Sequence, residues 1–225
     1  MMTNLFSIFD PSASILIFKT DWNWISATLG ILMMPLLFWT SMSRPLSAKM
    51  KIILFMSNEM SNTLTAKNKL SIIFMLSLFS MVITNNLFGL LPFVFTASSH
   101  LAFTLPLALT MWLGYFLASA SMNLTNLLSH MVPQDTPPFL MPFMVLIETL
   151  SNLIRPFTLA VRLSANMVAG HLLLALMSSS PSIMTPFISI TIISLQILLM
   201  ILESAVAAIQ AYVITTLSSL YIQES

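Results

Sequence analysis

Long apolar runs separated by short polar breaks make up most of this chain, and they predict membrane-spanning helices. The first run covers residues 24–42, which is long enough to cross a hydrocarbon core of about 30 Å. Two further runs, at about 70–93 and 101–122, predict a helical hairpin over 70–122. We predict an all-α, polytopic protein with five to six helices in a single membrane domain, residues 1–225.

The last two apolar runs, residues 139–179 and 183–222, are much longer than the others. Each contains about 40 residues and would extend about 60 Å as a straight helix, twice the thickness of the membrane core. Either each run contains two spans or each is a steeply tilted helix, and the absence of turn signals in 183–222 favours tilt there. Pro156 is a candidate kink in the earlier run. We predict that the two runs form an antiparallel hairpin over 139–222.

Composition supports a membrane protein and excludes several classes of function. Of 225 residues, 57% are apolar and 7% are charged, against about 25% charged residues in soluble domains. The chain has no cysteine, which excludes disulfides and thiol catalysis. Its histidines lack the spacing of zinc ligands, so no metal and no cofactor are expected; they are His100, His130 and His171. A net charge of +1 gives no reason to expect nucleic acid as a partner.

Charge distribution predicts the orientation in the membrane. Residues 44–69 carry five of the eight basic residues and are predicted to face the compartment of synthesis. This segment could be an amphipathic helix on the membrane surface or a solvated loop. The N-terminus and the 93–100 loop then lie on the opposite side. Nineteen methionines, and an N-terminus without the features of a transit or secretory peptide, favour synthesis inside an organelle.

The final hairpin carries rare polar residues at matching levels. A fold near residues 186–187 brings three pairs to common levels: Arg162 with Gln210, His171 with Glu203, and Glu148 with Glu224. A charge at the centre of a membrane helix costs at least about 2.5–3.5 kcal/mol, and arginine keeps its proton there. Asn166 shares the helix face of Arg162, whereas His171 lies about 180° around the helix. We therefore expect two separate polar regions.

Structural alternatives remain open for each of these residues. Arg162 could form an ion pair within the chain, and His171 could hydrogen-bond a backbone carbonyl or pair with Glu203 without any transport role. Arg155 is expected to extend toward the inner surface. A surface of small residues on the last helix suits either a neighbouring helix of another chain or packing within this one; it comprises Ser204, Ala205, Ala207, Ala208 and Ala211.

Two segments of the hairpin carry a family resemblance that extends over essentially the whole chain. The segments IETLSNLIRPFTLAVRLSANMVAGHLLL and ILESAVAAIQAYVITTLSSLY resemble subunit a of F-type ATP synthase in its mitochondrial, animal form. In that family, the arginine that matches Arg162 faces a rotating ring of c subunits. The resemblance implies roles in proton translocation at the other matched positions, namely an outer proton path (His171, Glu203), polar positions near the arginine (Asn166, Gln210) and a matrix-side carboxylate (Glu148).

The resemblance also implies a mechanism and partners. The chain would be a stator subunit with two offset half-channels to the c-ring, held among other membrane-sector and peripheral-stalk subunits in the mitochondrial inner membrane. The N-terminus would face the intermembrane space and the C-terminus the matrix. No Gly-rich phosphate loop is present, so ATP chemistry is expected on partner subunits. Two alternatives are an ion-coupled secondary transporter, which predicts internal repeats, and a structural subunit of a respiratory complex, which has no need of Arg162.

Overall fold

Apolar runs that end at polar or proline-containing segments determine where the helices of this protein begin and end. The computed structural model describes residues 5–15, 18–32, 44–64, 69–91, 94–122, 125, 128–129, 131–132, 137, 139–179 and 186–224. These residues form six α-helices: α1 (Ile25–Leu32), α2 (Arg44–Thr63), α3 (Lys69–Gly89), α4 (Leu101–Met122), α5 (Met141–Ser179) and α6 (Pro186–Glu224). The prediction of an all-α chain whose last two helices are long is confirmed.

A short β-hairpin near the N-terminus was not expected from the sequence. Strand β1 (Ala13–Ile15) pairs antiparallel with β2 (Phe18–Thr20), so that Ala13 lies opposite Thr20 and Ile15 opposite Phe18. A 3₁₀ turn at Leu5–Phe9 precedes this hairpin and packs against α5. The N-terminal region therefore reaches the same helix that carries Arg162 and His171.

Among the described residues, four helices are long and apolar enough to cross a membrane, over Ser71–Gly89, Leu101–Ser121, Met141–Ser179 and Ser189–Gln223. Only the start of the first predicted span, 24–42, is seen as α1, because residues 33–42 lie outside the described residues. The basic segment at 44–69 contains a helix, α2, over 20 residues. A solvated loop is therefore excluded for residues 44–63.

Helices α5 and α6 are each continuous over 39 residues, which excludes two separate spans within either run. Helix α5 continues through Pro156. Helix α6 begins at Pro186, where the fold was predicted, and residues 180–185 lie outside the described residues. The two helices pack antiparallel, since Leu163 shares a core cluster with Ala211 whereas His171, later on α5, lies 3.9 Å from Glu203, earlier on α6.

Helix α3 ends at Gly89, four residues before the predicted end at Phe93. The amides of Leu90 and Leu91 donate to the carbonyls of Leu87 and Phe88 at 3.3 and 3.1 Å, which is the tightened pattern of a helix terminus. The cause is Pro92, because the residue before a proline is disfavoured in the helical conformation.

Residues 96–99 of the loop that follows α3 are buried rather than lying on the surface. Ala97, Ser98 and Ser99 form a 3₁₀ turn whose side chains are all buried against α3, α4 and α5. Ser99 Oγ donates to the carbonyl of Thr96 at 2.7 Å. Gly89 permits this close return, since a Cβ there would lie 3.1 Å from Thr96 Cγ2. The turn thus brings polar side chains inside the helical bundle.

Methionines of α2 fix that helix against the bundle. Met56 and Met60 are buried in a core cluster that also contains Phe79 of α3 and Leu163 of α5. Ile52 and Phe55, on the same helix, remain exposed. An unbranched thioether side chain adapts readily to such an irregular gap.

Candidate functional site

His171 and Glu203 lie opposite each other in the α5–α6 hairpin. His171 Nε2 is 3.9 Å from Glu203 Oε1, which is ion-pair range but too long for a direct hydrogen bond. Glu203 is buried, with 4% of its surface exposed. Among the described residues, His171 Nε2 and both carboxylate oxygens of Glu203 have no hydrogen-bond partner. Two titratable groups therefore face each other with unused hydrogen-bonding capacity.

Gly170 creates the space for the Glu203 carboxylate. A Cβ at position 170 would overlap Oε1 of Glu203 and would lie within 3.0 Å of its Cγ. Because these contacts involve the carboxylate itself, a side chain at 170 would displace the acid. Sequence reasoning missed this role, since nothing in the pattern distinguishes Gly170 from the other small residues around it.

Phe9 of the N-terminal turn contacts the His171 ring. The two ring centroids are 6.3 Å apart with an interplanar angle of 80°, which is an edge-to-face arrangement. Phe9 and Glu203 thus both contact His171, one from the N-terminal turn and one from α6. Sequence reasoning missed Phe9 too, because no local pattern connects residues so far apart in the chain.

Arg162 lies on a different face of α5. Its side chain is exposed, as is that of Asn166 one turn later, whereas Leu163, Ser164 and Met167 between and beside them are buried. In the described part of the chain, Arg162 makes no ion pair and no hydrogen bond. An ion pair between Arg162 and an acid of this chain, one of the alternatives above, is therefore not found among these residues.

Gln210 lies near the level of Arg162 but makes no hydrogen bond with it in the described part of the chain. The next residues along each helix, Leu163 and Ala211, share a core cluster, which sets the level. Gln210 is buried, while Arg162 points away from the bundle. The two residues therefore lie at similar depth, with the Gln210 side chain inside the bundle and the Arg162 side chain exposed.

The remaining predicted residues lie toward the other end of the hairpin. Glu148 is half-buried on the first part of α5, and the side chain of its predicted partner Glu224 is outside the described part of the structure. The Arg155 guanidinium lies over the ring of Tyr221, with Cζ 5.8 Å from the ring centroid. Such a cation–π contact holds Arg155 against α6.

The small residues of α6 divide between two surfaces. Ala207 and Ala211 are buried within the bundle, whereas Ala205 and Ala208 are exposed. Packing within the chain is therefore found for Ala207 and Ala211, and contact with a helix of another chain stays a prediction for Ala205 and Ala208. Among the described residues, no group of histidine or acidic side chains is arranged to bind a metal ion.

Comparison with known proteins matches this arrangement to one family. A family model described as the ATP synthase A chain matches residues 20–223. The chain belongs to the ATP synthase subunit a family. It is 48% identical to ATP synthase subunit a of Drosophila simulans over 226 residues, covering 100% of this chain and 99% of that protein. Identity is 49% with the Locusta migratoria subunit and 48% with that of Anopheles quadrimaculatus, at the same coverage.

Membership of the subunit a family confirms the resemblance to the animal, mitochondrial form. The chain is accordingly a multi-pass subunit of the F-type ATP synthase membrane sector, and its partners are other subunits of that sector. Of the predicted site residues, the structure brings His171 and Glu203 into contact range and places Arg162 and Asn166 together on one outward face.

Proposed function

We propose that this subunit conducts protons to and from a rotating ring of c subunits through two offset half-channels. The observation that carries the proposal is the position of Arg162, a permanent charge on an outward face of an apolar helix. Within the described residues no acid of its own chain neutralises it. A carboxylate on a neighbouring c subunit would supply the missing partner.

Proton uptake occurs from the intermembrane space, past His171 and Glu203. Both groups can exchange protons, and a separation of 3.9 Å allows a small movement or one water molecule to connect them. Asn166 lies on the Arg162 face between the levels of Arg162 and His171. It is therefore in position to help pass a proton toward the ring carboxylate.

Arg162 separates the two half-channels. Its charge favours the deprotonated form of the ring carboxylate and repels a proton that would otherwise cross directly. Gln210, buried at the same depth, keeps a polar group behind the arginine. After nearly a full rotation, the proton leaves toward the matrix past Glu148. The driving force is about 2.3 kcal/mol per charge for each 100 mV of membrane potential.

The proposal includes the orientation of the subunit in the membrane and the tilt of α5 and α6. The subunit lies in the mitochondrial inner membrane with its N-terminus toward the intermembrane space and its C-terminus in the matrix. Helices α5 and α6 are steeply tilted, because 39 residues exceed the length of an upright span. Tilt lets the hairpin follow the curved surface of the ring. ATP is made on other subunits of the complex, including those held through the peripheral stalk.

The proposal is tested by removing Arg162 and comparing it with the other arginine of α5. Arg162→Ala should reduce ATP-driven proton pumping in inner-membrane vesicles to background, while the complex still assembles on a native gel. Arg155→Ala, the matched control, should retain pumping, because Arg155 contacts Tyr221 of its own chain. Pumping at the normal rate by assembled Arg162→Ala complexes would overturn the proposal.

A further inference from the structure

The N-terminal turn, Leu5–Phe9, connects the protein surface with the buried pair of His171 and Glu203. Phe9 is half-buried, and its ring lies edge-to-face on the His171 ring, with 6.3 Å between the ring centroids. The next residue, Asp10, is exposed. The chain therefore passes from the contact with the enclosed histidine to the surface within a single residue.

Backbone hydrogen bonds hold Asp10 in place. Its amide donates to the carbonyl of Ser7 at 3.3 Å, and its Oδ1 accepts from the amide of Ser12 at 3.2 Å. Pro11 lies between these bonds, and a proline restricts its own φ angle and the backbone of the residue before it. Oδ2 of Asp10 makes no hydrogen bond in the described part of the chain. A fixed carboxylate with one available oxygen therefore follows the turn directly.

The enclosed pair has unused capacity to receive protons from this side. His171 Nε2 has no hydrogen-bond partner among the described residues, and neither do the two carboxylate oxygens of Glu203. Because Glu203 is only 4% exposed, a proton from the medium must reach it past its neighbours. His171 is one of these neighbours, and the N-terminal turn contacts His171.

Asp21 offers a contrast, since both acids are exposed and both precede the first helix. Asp21 lies directly before the short turn Trp22–Trp24, which leads into α1, and α1 packs against α3. The turn that precedes Asp10 packs against α5 instead. Of these two acids, Asp10 is therefore the one that adjoins the contact with His171.

We propose that Asp10 is the proton-collecting residue at the entrance of the outer half-channel, from which protons pass beside Phe9 to His171. The inference rests on the proposed path through His171 and Glu203 and adds its entrance. A negative charge at an opening raises the rate at which cations encounter it. A unit charge about 7 Å away in water changes the local concentration of protons about three-fold. Phe9 has no titratable group and holds the turn on His171.

The test measures proton uptake by inner-membrane vesicles in which the N-terminal side faces the medium, with flux driven by an imposed potential. At about 0.01 M salt, where screening extends over about 30 Å, Asp10→Asn should slow uptake about two- to three-fold and Asp10→Lys about five- to ten-fold. Both effects should largely disappear at 1 M salt, where the screening length is about 3 Å. Asp10→Glu should behave as the unmodified subunit. Asp21→Asn is the matched control and should have a clearly smaller effect.

Uptake by Asp10→Asn at the unmodified rate, at every pH and salt concentration, would overturn the proposal. An equal loss in Asp21→Asn would also overturn it, because general surface charge would then explain the effect, and so would a defect that salt does not reduce. Glu203→Gln in the same vesicles separates this inference from the proposed path. Normal flux in Glu203→Gln overturns both, whereas loss of flux there with normal uptake in Asp10→Asn overturns only the role of Asp10.

Thiol modification gives an independent test in complexes that have already assembled, because this chain has no cysteine of its own. In Asp10→Cys, a sulfonate-bearing thiosulfonate reagent attaches a negative charge through a mixed disulfide, and a trimethylammonium reagent of similar size attaches a positive charge. The first should restore uptake, and the second should slow it further. Complexes that retain Asp10, treated in the same way, control for cysteines of other subunits. Equal uptake after the two reagents would contradict a role for charge at position 10.

Discussion

Polar residues at two levels of the α5–α6 hairpin differ in burial. At one level, His171 and Glu203 face each other inside the protein, and Glu203 is almost completely buried. At the other level, nine residues earlier on α5, Arg162 points outward and the opposing Gln210 points inward. Titratable groups are thus enclosed by the chain itself, whereas the permanent charge lies on an exposed face of α5.

Burial explains why each residue type suits its level. A carboxyl group that loses its charge can remain inside an apolar bundle, because the neutral form avoids most of the desolvation cost. Arginine has no such option and must find a partner or a polar surface. A helix that carries both types therefore needs two different faces, and Arg162 and His171 are on opposite sides of α5.

Moving the charge from the outer face into the core should have the largest effect. The double substitution Arg162→Leu/Leu163→Arg keeps composition constant but places arginine at a buried position. An unpaired buried charge costs about 3–5 kcal/mol, so we expect loss of the assembled complex on native gels. Arg162→Leu alone should assemble normally without pumping. Normal assembly of the double variant would show that position 163 is not enclosed as described.

Replacing Glu203, the buried acid opposite His171, should have the next largest effect, a fall in proton flux. Glu203→Gln preserves shape but cannot exchange a proton, and we expect proton flux to fall on the order of 100-fold. Flux through vesicles driven by an imposed potential measures this across a pH series. Glu148→Gln, at the far end of the hairpin, is the comparison and should be less impaired in uptake from the outer side. Unchanged flux for Glu203→Gln at every pH would remove Glu203 from the path.

A side chain at position 170 should displace the acid without removing it. Gly170→Ala places a Cβ against the Glu203 carboxylate, and overpacking of this kind costs about 1–3 kcal/mol. We expect reduced flux with partial loss of assembled complex. Gly114→Ala is the matched control, because a Cβ at position 114 would have nothing within 4 Å. Equal behaviour of the two variants would argue against a specific role for Gly170.

The smallest expected effect concerns the aromatic contact to His171. Phe9→Ala removes an edge-to-face pair that contributes about 0.5–1.5 kcal/mol, and we expect a shift in the pH profile of proton uptake with normal assembly. Phe6→Ala, in the same 3₁₀ turn but exposed, should leave the profile unchanged. Phe9→Tyr, which keeps an aromatic ring at this position, should have the pH profile of the unmodified subunit. A profile unaffected by Phe9→Ala would show that the turn is only a neighbour of His171.

Local pattern and helix geometry predict a large part of this structure. The uninterrupted apolar runs predict α5 and α6, and antiparallel pairing of their rare polar residues predicts the contact between His171 and Glu203. The same pairing does not predict which way Arg162 and Gln210 point, since level along a hairpin is independent of rotation around each helix. Only the packing of the bundle settles that rotation.

Contacts between distant segments are what the sequence does not reveal. Phe9 reaches His171 through the N-terminal turn, and the 94–100 loop folds inward beside α3. No periodicity relates these residues.

The close packing of Gly170 against Glu203 also restricts which substitutions these two positions can accept during evolution. Position 170 is restricted not by its own backbone but by the length of the acid on the opposite helix. A lineage that acquired alanine at 170 would tolerate it best after shortening residue 203 to aspartate, whereas alanine acquired first would clash with the longer glutamate side chain. The two positions should therefore change together, even though they are 33 residues apart in the chain.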